Sequence, residues 1–161
     1  MTHRLLGLAD VEPMPAIEEP FEILLLRREL GVRAFGVNAY RAGPGERVIE
    51  EHDELGAAAA GHQEVYAVVA GRATFTVAGE TVDAPAGTLI AVEPDERRGA
   101  VAEEPGTTVI VLGGSSGHGY RVAPWERAVS ANRAYLDGDH DRCYELVAEG
   151  LAEHPENASC T

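Results

Sequence analysis

The sequence predicts a mainly β protein, in which an antiparallel barrel is followed by a C-terminal α-helical hairpin. Eight short runs of β-forming residues are separated by glycine or proline, and this spacing is typical of a closed or rolled antiparallel sheet. Beyond Pro124, apolar residues recur at helical spacing instead. The eight predicted strands are residues 21–26, 32–40, 46–50, 64–70, 73–77, 88–92, 100–102 and 107–112.

Proline and glycine divide the chain before Pro124 into two parts. Three prolines among acidic side chains prevent a continuous helix in residues 1–20, which we expect to form an extended lead-in. Ala78, Gly79 and Glu80 predict a hairpin turn, because glycine adopts positive φ at little cost. The predicted organisation is a lead-in at 1–20, a barrel at 21–123 and a helical hairpin at 124–161.

The C-terminal segment predicts two helices. Pro124 suits a first helical turn, and the apolar spacing after it predicts a helix of about three turns. Asp141 is the expected N-cap of the second helix, and Pro155 is its expected stop. Each helix has one apolar face, so we expect the hairpin to pack on the barrel or on a dimer partner.

Composition and charge exclude several classes of function. A chain of 161 residues is long enough for one domain with a substantial core. Thirteen basic and 27 acidic residues give a formal net charge of -14, which disfavours binding to nucleic acid and to anionic membranes. No apolar run approaches the ~20 residues of a transmembrane helix, and no cleavable signal is recognisable. We expect a cytoplasmic protein in which Cys143 and Cys160 remain thiols.

Residues 64–71 carry the most information about function. They form an alternating apolar strand that begins with a glutamate and ends with a glycine. This run and its surroundings resemble a cupin over roughly residues 32–113, and the resemblance implies a jelly-roll barrel with its functional site at the mouth. The residues that carry the resemblance are Gly45, His52, Glu64, Gly71, Gly79, Pro85 and Gly87.

The resemblance implies four metal ligands at the barrel mouth, and this sequence replaces two of them. His52 and Glu64 match a histidine and the glutamate of the family's first motif, whereas Glu54 stands in place of the second histidine. An insertion over residues 54–61 lengthens the loop before Glu64. Arg98 stands where the final histidine is expected. A guanidinium has no lone pair to donate and stays protonated, so Arg98 cannot be a ligand and opposes a bound cation.

These substitutions favour a small-molecule binding module without a metal. If Arg98 points into the barrel, it should form a charge-assisted pair with Glu64, near Glu54, in place of an ion. Its fixed positive charge favours an anionic ligand. Tyr66 shares the inward parity of Glu64, and aromatic walls with a few polar groups are typical of ligand pockets. The candidate ligand-binding residues are Arg98, Tyr66, Glu64, Tyr40 and Phe75.

A metal-dependent cupin enzyme of the isomerase or dioxygenase type is the alternative. His62 lies two residues before Glu64, so their side chains should share one face of the strand. His52, His62 and Glu64 would form a two-histidine, one-carboxylate site for Fe(II), Mn(II), Ni(II) or Zn(II). Glu54 would be an additional ligand or an acid or base. Both interpretations stay open at this level, and so does the question of enzymatic activity.

The C-terminal hairpin carries a second resemblance. Residues 138–158 resemble the second half of a tetratricopeptide repeat, with Gly138 and Asp139 at the turn and Pro155 at the end. A single repeat cannot bury its own apolar face. The resemblance therefore implies a protein partner for these helices as an alternative to packing on the barrel. Because cupins commonly pair through their sheets, we also expect a homodimer.

Overall fold

The computed structural model describes residues 3–15, 19–56, 61–115, 117 and 119–153. Its described residues form ten strands, a short 3-10 turn at Leu8–Asp10 and three α-helices. The strands are β1 Met14–Pro15, β2 Glu22–Leu24, β3 Gly36–Ala42, β4 Arg47–His52, β5 Gln63–Ala70, β6 Arg72–Val77, β7 Glu80–Pro85, β8 Leu89–Val92, β9 Arg98–Ala102 and β10 Thr107–Gly114. The helices are α1 Leu26–Leu30, α2 Pro124–Leu136 and α3 His140–Glu153.

The strands form two antiparallel sheets that enclose the main core. One sheet has the order β1-β2-β3-β10-β5-β8 and the other has the order β4-β9-β6-β7. Inward side chains of both sheets form the core, in which the rings of Tyr66 and Phe75 meet edge to face with centroids 5.6 Å apart. This confirms the predicted mainly β architecture followed by two helices.

The barrel differs from the prediction at two places. Leu26, the last residue of the predicted strand 21–26, instead begins helix α1, because Leu26 and Leu30 lie one helical turn apart and pack in a second apolar cluster while charged residues separate them. Strand β7 was not predicted. It pairs with β6 through the predicted turn, where Ala78 and Gly79 have φ of 50° and 84°, as a type I′ hairpin requires.

Helix α2 begins at Pro124, as predicted, and packs on the barrel. Its Val129 contacts the main core, and the ring of Trp125 lies 6.4 Å from that of Tyr40. Glu126, almost fully buried at 2% exposed, forms an ion pair with Arg27 of α1. The hairpin is therefore attached to the barrel through α2.

Helix α3 packs on α2 and not directly on the main core. Leu146 joins Ala131 and Ala134 in a small apolar cluster. The predicted cap is wrong by two residues, since Asp139 and not Asp141 accepts the backbone N–H of Arg142 at 3.1 Å. The expected stop at residue 155 lies outside the described residues, as does residue 160. Within the described part of the chain, no helix is long and apolar enough to cross a membrane.

A matched pair of glycine substitutions tests how closely the backbone between β5 and β6 approaches Thr107 at the start of β10. Gly71 and Gly79 both have positive φ, but a Cβ at Gly71 would lie 2.9 Å from the Cα of Thr107, whereas one at Gly79 would meet nothing within 4 Å. Each Gly→Ala change should cost about 1 to 2 kcal/mol through the backbone. Gly71→Ala should cost about 1 to 3 kcal/mol more through overpacking. Urea unfolding measures both, and equal losses would contradict the close contact.

Candidate functional site

The barrel mouth holds a pocket that α2 and the segment before it cover on one side. The cavity itself has a volume of about 30 Å³, which is room for one or two water molecules, and it opens towards solvent. Strands β3, β5 and β10 form the barrel side of the wall. The lining residues are Gly36, Val37, Asn38, Tyr40, Glu54, His62, Glu64, Val111, Gly113, Tyr120, Ala123, Trp125 and Glu126.

Strand alternation brings the polar side chains to the mouth. His62, Glu64 and Tyr66 are two residues apart along β5 and its entry, and all three are buried. Across the barrel, His52 at the end of β4 is the register partner of Arg98 at the start of β9. The site therefore draws on both sheets.

Arg98 lies inside the barrel with a side chain that is 0% exposed. Its Nη2 donates to Glu64 Oε2 at 3.0 Å, its Nε donates to the Tyr66 hydroxyl at 3.0 Å, and its Nη1 donates to the carbonyl of Glu96 at 2.8 Å. The Tyr66 hydroxyl donates in turn to Glu64 Oε2. All three guanidinium nitrogens thus have partners, and the expected Arg98–Glu64 pair is present.

The pKa shifts of this cluster favour the ionised pair. Burial opposes charge on Glu64, but the nearby His52 imidazole, the hydrogen bond from Tyr66 and the charge of Arg98 lower the pKa of the Glu64 carboxyl. Burial likewise opposes charge on Arg98, but Tyr66 and Glu64 raise the pKa of the guanidinium. Burial and the charge of Glu64 raise the pKa of Tyr66, which therefore stays protonated and can donate.

His52 lies between two carboxylates. Its Nε2 is 3.8 Å from both Glu54 Oε1 and Glu64 Oε2, and its Nδ1 is 2.7 Å from the carbonyl oxygen of Glu50. Burial lowers the pKa of His52, but the nearby Glu64 carboxylate and the hydrogen bond to the Glu50 carbonyl outweigh burial and raise it. A protonated His52 with Arg98 would balance the two carboxylates without a metal ion.

Among the described residues, one group of side chains could hold a metal ion, and it consists of His52, Glu54 and Glu64. Their potential ligand atoms lie within 4.8 Å of one another. The arrangement fits a divalent ion poorly. Glu64 Oε2 already accepts hydrogen bonds from Tyr66 and Arg98, and the guanidinium 3.0 Å away would repel a cation. An ion held through Glu64 Oε2 would have to displace these donors.

His62 does not join the metal group that the sequence suggested for it, and Glu54 is there instead. The His62 ring stacks on Tyr120 with centroids 5.0 Å apart and an interplanar angle of 27°. Its backbone N–H donates to Glu54 Oε2 at 3.3 Å. Its side chain is buried and lines the pocket, consistent with the predicted inward parity with Glu64.

The other sequence-predicted ligand residues divide between the pocket and the core beneath it. Tyr40 and Glu64 line the pocket. Tyr66 and Phe75 are core residues, and Arg98 lies behind Glu64 and outside the lining. Tyr40 is a protonated hydroxyl, since burial and then the charge of Glu64 raise its pKa well above its usual value.

The sequence did not predict the pocket residues that come from outside the barrel. Tyr120, Trp125 and Glu126 reach the pocket because α2 packs over the mouth. Tyr120 donates from its hydroxyl to Glu126 Oε2 at 3.1 Å, and the guanidinium of Arg27 lies 5.8 Å from the Tyr120 ring centre. The only signal in the sequence was an aromatic and an acidic residue directly after the helix-starting Pro124.

No protein-family model matches the chain, and no curated protein matches it either. Solved structures share its fold. KdgF from Halomonas sp. is 18% identical, with a TM-score of 0.56 over 75% of this chain and 96% of that one. An RmlC-like cupin from Shewanella frigidimarina is 18% identical, with a TM-score of 0.53 over 73% and 97%.

A cupin-superfamily sugar phosphate isomerase from Silicibacter pomeroyi is also 18% identical, with a TM-score of 0.55 over 70% of this chain and 76% of that one. At such identity the likeness concerns the fold. The antiparallel barrel is thus a cupin-type jelly roll, followed by two helices.

Substitutions at the buried pair test whether Arg98 depends on Glu64. Arg98→Met should destabilise the protein by about 3 to 5 kcal/mol, because it leaves the Glu64 carboxylate buried without its charge partner. The double variant Arg98→Met, Glu64→Leu should recover part of that loss, because it removes both charges. Urea unfolding of each variant measures the difference.

Arg97→Met is the matched control. Arg97 precedes Arg98 directly but forms an exposed pair with Glu51, at 2.5 Å, so its removal should change stability little. Equal losses for the single and double variants at Arg98 would refute the pairing.

Proposed function

We propose that the protein binds a small, uncharged, hydroxyl-rich molecule of the sugar class at the barrel mouth, with one hydroxyl group in the pocket and without a metal. The observation that carries the proposal is the charge balance of the wall. Glu64 is paired with Arg98, Glu126 with Arg27, and Glu54 lies 3.8 Å from His52. Carboxylates held in this way still have lone pairs that accept hydrogen bonds from ligand hydroxyls.

The remaining wall suits the same class of ligand. The rings of Tyr40 and Trp125 add apolar aromatic surface to the lining, which suits the C–H groups of a sugar. Asn38 adds an amide to the lining. Small-ligand sites combine apolar walls with a few convergent polar groups in this way.

This proposal replaces the anionic ligand expected from the sequence. All three nitrogens of the Arg98 guanidinium have hydrogen-bond partners, and the residue lies outside the pocket lining. Among the described residues, the lining has the three carboxylates of Glu54, Glu64 and Glu126 and no Lys or Arg side chain, so an anion would meet charged acceptors that cannot donate a hydrogen bond to it. The sugar phosphate isomerase of Silicibacter pomeroyi shares the fold, and the sugar part of such a compound fits this wall better than its phosphate.

A panel of neutral aldoses tests the proposed function. D-glucose, D-galactose, D-mannose, D-ribose and D-xylose would be compared with D-glucose 6-phosphate and D-ribose 5-phosphate by chemical-shift titration. At least one neutral aldose should bind, and the phosphates should bind about tenfold more weakly or worse, a difference of about 1.4 kcal/mol. Absence of aldose binding, or tighter binding of the phosphates, would contradict the proposal.

The same chemical change at two glutamates provides the control. Glu54→Gln should weaken aldose binding about tenfold, because hydrogen bonds to charged groups are worth about 1.5 to 3 kcal/mol. Glu51→Gln alters an exposed side chain on β4 outside the pocket lining and should leave binding unchanged.

A metal-dependent enzyme of the isomerase or dioxygenase type is the second candidate, and the His52, Glu54 and Glu64 group favours it. We expect protein purified without added metal to contain far less than one Fe, Mn, Ni or Zn ion per chain, as measured by elemental analysis. Arg98→His removes the repelling charge and supplies a lone pair, so this variant should retain more metal. His52→Gln in the same background should reverse the gain. Near-stoichiometric metal in the unaltered protein would favour the enzyme.

A further inference from the structure

His62 has a buried ring nitrogen that nothing in the described part of the protein satisfies. The residue is 5% exposed, and its Nε2 has no hydrogen-bond partner. Buried polar atoms in folded proteins are nearly always paired, so an exception calls for a specific explanation. His62 also lines the barrel-mouth pocket, which offers such an explanation.

The surroundings of His62 hold its ring in one place. One face stacks on Tyr120 at 5.0 Å, and the backbone N–H is tied to Glu54 Oε2 at 3.3 Å. The Nδ1 edge lies against the backbone of Gly113, so closely that a Cβ there would come within 3.3 Å of Nδ1. Nε2, on the other edge of the ring, is therefore a fixed, buried and unpaired nitrogen of a residue that lines the pocket.

We propose that His62 is a specificity-determining residue of the pocket, whose Nε2 forms a direct hydrogen bond with one hydroxyl of a bound sugar. This inference rests on the proposed function. A hydroxyl fits either tautomer, because it donates to an unprotonated Nε2 and accepts from a protonated one. Tyr120 is a positioning residue, since its ring backs the imidazole and its hydroxyl is tied to Glu126 at 3.1 Å.

The proposal predicts selectivity for a single hydroxyl. A sugar without that hydroxyl leaves Nε2 buried and unpaired, whereas a sugar that has it satisfies the atom. Sites that hydrogen-bond a hydroxyl discriminate strongly against the analogue that lacks it, for this reason. If His62 served only to support the pocket structure, it would not produce selectivity among monodeoxy sugars. Such selectivity therefore distinguishes the two roles.

His62→Phe tests the inference, because phenylalanine keeps a flat ring on Tyr120 and removes the nitrogen. The probes are the aldose of the five-sugar panel that binds most tightly and its monodeoxy forms. His62→Phe should weaken binding of the parent aldose about tenfold. One monodeoxy form should bind the unaltered protein about as weakly as the parent aldose binds His62→Phe. The affinity of that monodeoxy form should not fall further in His62→Phe.

The outcomes separate the two proposals. If the parent aldose binds the unaltered protein and His62→Phe equally well, the role of His62 is refuted and the proposed function survives. If no aldose binds the unaltered protein, the proposed function fails and this inference fails with it. If every monodeoxy form loses the same further factor in His62→Phe, the substitution acts on pocket structure and the direct hydrogen bond is refuted.

A measurement on the unaltered protein covers the case in which His62→Phe does not fold. Long-range 1H–15N correlation spectra report the Nε2 resonance of His62 directly. Addition of the binding aldose should shift that resonance, and addition of the monodeoxy form that His62 discriminates against should not. An Nε2 resonance that stays in place while the aldose saturates other pocket signals would overturn the inference.

Discussion

The ion pair between Arg98 and Glu64 is the constraint on which the arrangement of the site depends. A fully buried guanidinium is tolerated only when its donors and charge are satisfied, and here Glu64, Tyr66 and the Glu96 carbonyl do so together. Because Arg98 starts β9 and Glu64 lies on β5, the pair also links the two sheets across the barrel. One interaction thus joins the sheets and occupies the place that the cupin resemblance assigns to an ion.

The same pairing principle extends around the pocket. Glu126 brings a carboxylate from α2, and Arg27 of α1 neutralises it, while His52 lies beside Glu54. A chain with a formal charge of -14 thereby presents a pocket wall whose charges are matched locally. Under the proposed function, such a wall would recognise a ligand by hydrogen bonds and ring contacts more than by net charge, since an added ion of either sign would disturb a balanced pair.

The sequence was sufficient to predict the mainly β architecture and the pair between Arg98 and Glu64. Two-residue alternation put Glu64 on the inward face, and alignment with the cupin pattern put Arg98 opposite it. Strand β7 could not be predicted, because most of its residues are exposed and only Ala84 is fully buried. Its sequence therefore lacks a clear apolar alternation. Tyr120 and Trp125 could not be predicted as pocket residues, because they reach the mouth through tertiary packing of α2, which leaves no periodic signal.

The C-terminal hairpin belongs to the pocket as well as to the fold. Trp125 packs near Tyr40, and Glu126 satisfies Arg27, so loss of α2 would uncover the mouth and leave the Arg27 guanidinium without its carboxylate. Helix α3 touches neither group and instead supports α2 through the Leu146 cluster. The segment that resembles a cupin motif therefore contributes only part of the pocket lining, including Glu54 and Glu64. The outer wall of the pocket, and with it the shape of any molecule that fits, is determined by residues that the motif does not contain.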